Sequence, residues 1–230
     1  MESLLKYALG QRRFEVYEPE IPSDHPPVVI VHGLLHRGIV MRTFAAALRR
    51  AGRKVYVYDY KTTRKPVEAH GVELADFLMK LDCPKLDIVT HSMGGLLTRV
   101  ALNRLDRLGR LDGIGRVVML APPHHGSEVA SWWVSHFPPS RVLVRSLPDL
   151  ADTPEAAVHR LPVPSGVEIG IIVGSRDSKV SESSTRLGTE CDRVVIDSAH
   201  AFMMNKPEAQ RLILNFLDFG CFEPDKIGKK

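Results

Sequence analysis

Short, unbroken apolar runs punctuate the chain, each followed by a turn and then by a segment with helical spacing. The runs cover residues 28–31, 54–58, 86–90, 116–120, 168–173 and 193–196. Most are continuous and β-branched rather than alternating, as strands covered on both faces of a parallel sheet require. Between them, apolar residues recur at helical intervals over 41–51, 67–80, 95–107 and 207–219. This alternation predicts an α/β fold: a mostly parallel sheet of about six or seven strands with helices on both faces. One connection breaks the rhythm. Residues 122–164 hold no convincing strand, and a structureless loop of that length is unusual, so helical content and a functional position are expected there. Ser127 can cap a helix carrying Val129, Trp132, Trp133, His136 and Phe137 at helical spacing. Pro138, Pro139, Pro148 and Pro154 punctuate the rest. The expected organisation is one domain over 1–230 with a cap insertion at about 123–165.

Composition narrows the classes. Hydrophobic residues at 44% and charged residues at 25% are ordinary for a soluble globular chain. A formal charge of +4 is spread without a long basic run, so nucleic-acid binding has no specific support. The one local cluster, Lys226-Ile227-Gly228-Lys229-Lys230, reads as a solvated end. Three cysteines, Cys83, Cys191 and Cys221, show neither metal-ligand spacing nor a disulfide framework; a reducing, cytoplasmic setting is the simplest reading. Met1-Glu2-Ser3-Leu4-Leu5-Lys6 lacks the apolar run and cleavage site of a signal peptide. No stretch approaches the roughly 20 apolar residues that span a bilayer.

The sharpest chemical signal is Leu86-Asp87-Ile88-Val89-Thr90-His91-Ser92-Met93-Gly94-Gly95-Leu96-Leu97. A buried strand runs straight into Ser92 and a helix begins at once, the pattern of a nucleophile elbow. Gly94 and Gly95 supply the small residues that crowding of helix against strand demands; Thr90 stands where the G-x-S-x-G motif has its first glycine. Upstream, Val28-Val29-Ile30-Val31-His32-Gly33-Leu34-Leu35 ends a strand in His-Gly, which turns backbone N–H groups toward the cleft. The N–H groups of Leu34 and Met93 are the candidate oxyanion donors. Two later strands end in Gly174-Ser175-Arg176-Asp177 and in Asp197-Ser198-Ala199-His200. The chain order Ser92, Asp177, His200 is that of an elbow-borne triad, with His200 as general base and Asp177 as its orienting acid. Asp192, Asp197, Asp149 and Asp152 compete for the acid's place. His91 is expected to point away from the nucleophile, and His32 to fix the oxyanion loop. His124 and His125 read as loop-shaping or rim residues without a metal role.

These residues resemble the bacterial lipase/esterase branch of the α/β-hydrolase superfamily. The matching pieces are Val31-His32-Gly33-Leu34, Tyr58-Asp59-Tyr60, His91-Ser92-Met93-Gly94-Gly95, Ala121-Pro122-Pro123-His124-His125-Gly126-Ser127, and the late Asp177 and His200. The resemblance spans roughly residues 28 to 218 and implies a reduced α/β-hydrolase fold with a small cap. It also implies a serine carboxylester hydrolase acting through an acyl-enzyme on acyl esters or lipids. A thioesterase, amidase or acyltransferase would use the same triad, and a non-catalytic binding protein could use the same fold. Leu34, Met93 and Trp132 would lie near the acyl group, and Leu35, His124 and Trp132 are the expected substrate-binding residues. Trp132 and Trp133 form either a lid that makes transient contact with a lipid surface or packing beneath the insertion. The chemistry requires no cofactor.

Overall fold

The computed structural model describes residues 14–81 and 83–224. The N-terminal segment Met1–Lys6 and the basic tail at 226–230 lie outside the described residues. The strands are β1 (Phe14–Tyr17), β2 (Val28–Val31), β3 (Val55–Tyr58), β4 (Leu86–His91), β5 (Ile114–Leu120), β6 (Glu168–Gly174) and β7 (Asp192–Ile196). They form one sheet in the order β1-β3-β2-β4-β5-β6-β7. Every pairing is parallel except that of β1 with β3. Apolar side chains cover both faces, as the unbroken runs anticipate. Val29 and Val31 enter one core and Val28 and Ile30 the other, following the two-residue period of a strand.

Helices α1 (Arg42–Arg50), α2 (Val67–Lys80), α3 (Met93–Arg107), α4 (Glu128–His136), α5 (Ser140–Leu143) and α6 (Pro207–Phe219) complete the layers. Leu74, Leu78, Leu97 and Leu105 of α2 and α3 pack on one face of the sheet. Phe44, Leu48, Ile213 and Phe216 of α1 and α6 pack on the other. Among the described residues, no helix is long and apolar enough to cross a membrane. Cys83, Cys191 and Cys221 are unbridged.

Strand β1 has no counterpart among the predicted runs, and its polarity explains why. Glu15 faces inward at 7% exposure while Val16 faces out. Arg42 offsets the burial by donating from Nη2 to Glu15 Oε1 at 2.6 Å and from Nε to Oε2 at 3.2 Å. Burial and the hydrogen bond to Glu15 push the Tyr17 hydroxyl up to about 12. A pattern that seeks apolar residues inside cannot recognise such a strand.

The connection between β5 and β6 is helical, with one isolated bridge between Ser127 and Ala151. Ser127 caps α4, its hydroxyl accepting from Ala130 N at 3.4 Å. The second half of the connection is pinned to the body. Arg145 N donates to Thr63 O (2.9 Å), and the Ser146 hydroxyl to Thr62 O (2.8 Å). Asp149 accepts from Val67 N (2.7 Å), satisfying an open donor at the start of α2. Buried Arg99 of α3 donates to the carbonyls of Leu161 and Pro162.

Candidate active site

The site lies at the C-terminal ends of the parallel strands. Strand β4 delivers Ser92 at φ 53° and ψ −126°, a conformation that costs a non-glycine residue about 1–3 kcal/mol. Among the described residues, the non-glycine positions with positive φ are Leu35, Ser92 and Ala121, all just beyond the ends of neighbouring strands. Ser92 N donates to Leu120 O at 2.8 Å, tying the elbow to the end of β5. Crowding explains the glycines. A Cβ on Gly94 would sit 2.5 Å from Val31 O, and one on Gly33 would sit 2.9 Å from Ser92 Cβ. Thr90 is accommodated in place of glycine because Gly95 faces it: a Cβ there would stand 3.5 Å from Thr90 Oγ1. Helix α3 starts at Met93, two residues earlier than the periodicity indicates, because the elbow passes directly into it.

His200 and Asp177 come together from the loops after β7 and β6. His200 Nδ1 lies 2.6 Å from Asp177 Oδ2, and both side chains are nearly excluded from solvent. Asp177 Oδ1 accepts from the backbone N–H groups of Lys179 (2.8 Å) and Val180 (3.0 Å). Burial pushes the Asp177 carboxyl up, but the hydrogen bonds from His200, Val180 and Lys179 outweigh it and hold the group below its ordinary range. The competing carboxylates are occupied elsewhere. Asp192 accepts from Phe222 N, Asp197 pairs with Arg176, Asp149 caps α2, and Asp152 lies 4.0 Å from His159. Ser92 and His200 line one cavity, and no hydrogen bond joins them among the described residues. Such contacts often tighten only when substrate is bound.

The loop carrying Leu34 rests on buried support. His32 Nε2 lies 3.0 Å from Asp59 Oδ1, and its Nδ1 lies 3.1 Å from Gly33 O. Asp59 also accepts from Gly38 N at 2.8 Å. The Tyr60 ring stacks on His32 at 4.5 Å, and its hydroxyl donates to His32 O at 2.7 Å. Asp59 and Tyr60 were visible in the sequence as a strand end, without a role; only the fold brings them against His32. Among the described residues, neither the Leu34 nor the Met93 N–H donates to a backbone carbonyl outside the regular elements.

Four expectations change. His91 does not point away: its ring packs 4.8 Å from that of His200, and its Nε2 donates to His200 O at 2.9 Å. Burial, reinforced by His200, pushes His91 down to about 3, so it stays neutral. His124 is not a rim or substrate-binding residue. It is 2% exposed and turned inward against Arg99, because the loop after β5 folds back onto α3. Trp132 does not line the cavity; Trp133, one position on, faces it, while Trp132 is 54% exposed. Neither tryptophan is packed beneath the insertion. The Met93 side chain is buried in the core beneath the elbow, so only its N–H can serve the site. Leu34 and Leu35 do line the cavity. Its volume is about 470 Å³, and its remaining walls are largely apolar, from Val129, Trp133, Phe137, Leu143, Leu147 and Leu150.

The chain belongs to the family described as Domain of unknown function (DUF7379), whose model matches residues 15–136. No curated protein matches the sequence. Solved structures share the fold. The lipase BlEst2 of Bacillus licheniformis in mature form is 18% identical, with a TM-score of 0.69 over 90% of this chain and 98% of its own. YbtT, a type II thioesterase from the Yersiniabactin NRPS/PKS biosynthetic pathway, is 15% identical, with a TM-score of 0.68 over 90% and 97%. A Paleococcus ferrophilus monoacylglycerol lipase is 18% identical, with a TM-score of 0.64 over 90% and 98%. The fold is that of the α/β-hydrolases, as the sequence resemblance implies.

Proposed function

We propose that this protein is a serine hydrolase that cleaves acyl esters through an acyl-enzyme on Ser92. One observation carries the reading: a strained serine at the end of a central strand shares an apolar cavity with a histidine that is hydrogen-bonded to a buried carboxylate. Ser92 Oγ attacks the acyl carbon and its proton passes to His200 Nε2. The N–H groups of Leu34 and Met93 receive the negative charge that forms on the former carbonyl oxygen. His200 returns the proton to the leaving alcohol as the bond to the acyl carbon breaks. Water then attacks the acyl-enzyme, gives its proton to His200, and the acid leaves as Ser92 is reprotonated. Asp177 holds the tautomer and stabilises the imidazolium. The segment at 123–165 is the cap.

A second substrate form has specific support. Leu35, Phe137 and Leu143 are exposed at the cavity's edge, with Trp132 and Val142 nearby in the chain, and exposed apolar patches mark interaction surfaces. In this reading the ester is drawn from a lipid surface. Activity should then rise when the substrate exceeds its solubility, and Trp132→Ala should reduce that rise. The fold shared with a type II thioesterase makes a thioester the other substrate to assay.

Labelling with a fluorophosphonate, followed by peptide mass spectrometry, tests the central claim. An adduct on Ser92 of the wild type, absent from Ser92→Ala, is expected, along with loss of octanoyl ester hydrolysis by about 10⁴-fold or more in the variant. Near-wild-type turnover by Ser92→Ala removes the proposal.

A further inference from the structure

The cavity beside Ser92 has a marked charge asymmetry. No aspartate or glutamate is among its lining residues, and one of those residues, Lys179, is a full cation. The Lys179 ammonium has no carboxylate partner among the described residues, unlike Arg176 nearby in the chain, which pairs with Asp197. Its backbone is held on both sides. The N–H donates to Asp177 Oδ1 at 2.8 Å, and the carbonyl accepts from the Ser127 hydroxyl at 2.7 Å. The side chain therefore projects from a fixed point between the acid of the triad and the cap of α4. Its charge is felt inside the site: after burial and the fields of His32 and His200, Lys179 helps to lower the pKa of His36, another lining residue.

The lining also differs in exposure. Leu147 and Leu150 are buried, whereas Leu35, Leu143 and Lys179 are exposed. An acyl chain seated against the buried Leu147 and Leu150 leaves the exposed lining residues, Lys179 among them, to meet the leaving group. We infer that the leaving group of the preferred substrate carries an anion, a phosphate or a carboxylate a few bonds from the ester oxygen, and that Lys179 determines this specificity by pairing with it. A charge-assisted contact there adds binding that a neutral ester lacks. This inference rests on the serine-hydrolase reading above.

The test compares esters with one acyl chain and different leaving groups. The neutral members are octanoyl nitrophenol and octanoyl glycerol; the anionic members are the octanoyl esters of hydroxynitrobenzoic acid and of glycerol phosphate. Wild-type kcat/KM should favour at least one anionic ester over its neutral partner by about tenfold at low salt, with the gap narrowing as salt screens the pair. Lys179→Met should bring the ratio close to one. Arg110→Met removes the same unit of charge just beyond the far end of α3, about 22 Å of helix away, and should leave the ratio unchanged. The arm that shows the preference identifies phosphate or carboxylate as the anion. Equal rates for all wild-type pairs, or a preference that survives in Lys179→Met, overturns the inference. Fluorophosphonate labelling counts active enzyme in each variant. Absence of both labelling and turnover in the wild type instead defeats the hydrolase reading, and the inference with it.

Discussion

At the N-terminal ends of the strands lies a groove of about 720 Å³ lined by Arg53, Asp87, Arg116, Glu168 and Asp218; at the C-terminal ends lies the smaller cavity with Ser92 and His200. Both bury ionisable side chains, but under different rules. In the lower groove the buried charges are partnered. Arg53, 1% exposed, donates to Asp87 Oδ2 at 2.8 Å and to Asp218 Oδ1 at 2.5 Å. Asp87 Oδ1 accepts Arg116 N at 2.8 Å, where the pairing of β4 with β5 shifts register. At the upper end, the backbone is strained at Leu35, Ser92 and Ala121, and His36 Nδ1, His91 Nδ1 and Thr90 Oγ1 are buried without a hydrogen-bond partner among the described residues. Cavity size favours the lower groove. Strain and incompletely satisfied polar groups favour the upper one, and these are the features that mark a place built to bind rather than to hold.

The two carboxylates sharpen the contrast. Burial raises Asp87 despite the Arg116 N–H and the Arg53 guanidinium, whereas the hydrogen bonds to Asp177 overcome its burial and lower it. Asp177→Asn should cost about 10⁴-fold in kcat with the fold intact, because the amide misorients the His200 tautomer. The same variant gives a stability test. A carboxyl lowered by folding stabilises the protein above its ordinary value of 3.8, and that contribution is lost as pH falls through the lower folded value. The difference in unfolding free energy between wild type and Asp177→Asn should therefore be largest near neutrality and shrink below about pH 4. A difference independent of pH would mean that the carboxylate's charge does not stabilise the fold.

Arg53→Met should act in the opposite sense. It leaves Asp87 buried without its cation and should cost about 3–5 kcal/mol in denaturant unfolding, while labelling of Ser92 per folded molecule stays unchanged. Loss of labelling among folded molecules would break the division between a holding end and a reacting end. His91→Leu should have the smallest effect: about a tenfold fall in kcat at constant KM, because His200 loses the donor to its carbonyl and the ring packed against it. His91→Asn keeps a donor and should recover part of the loss. Equal rates for His91→Leu and wild type would make the histidine contact packing alone.

Much of this architecture is legible in the sequence, and the features that are not share a cause. The six parallel strands and the four long helices that pack on them follow from local apolar periodicity, which the chain carries within each segment. Ser92 and the Gly94-Gly95 pair were legible because an elbow compresses its chemistry into a few consecutive residues. His124 and Trp132 were misplaced because a loop's neighbours in sequence do not say which way it folds. Strand β1 escaped because its inward residue is Glu15, tolerable only once α1 brings Arg42 to meet it.

By itself the sequence determined the α/β layering, the position of the strained serine and the chain order of serine, aspartate and histidine, since each depends on short-range pattern and backbone sterics. Tertiary structure decided that Asp177, among several nearby aspartates, reaches His200, that Trp133 rather than Trp132 faces the cavity, and that Lys179 stands beside the site without a carboxylate partner. Those outcomes depend on how loops from the ends of separate strands converge. No local periodicity encodes that convergence, because packing at the sheet's edge sets it.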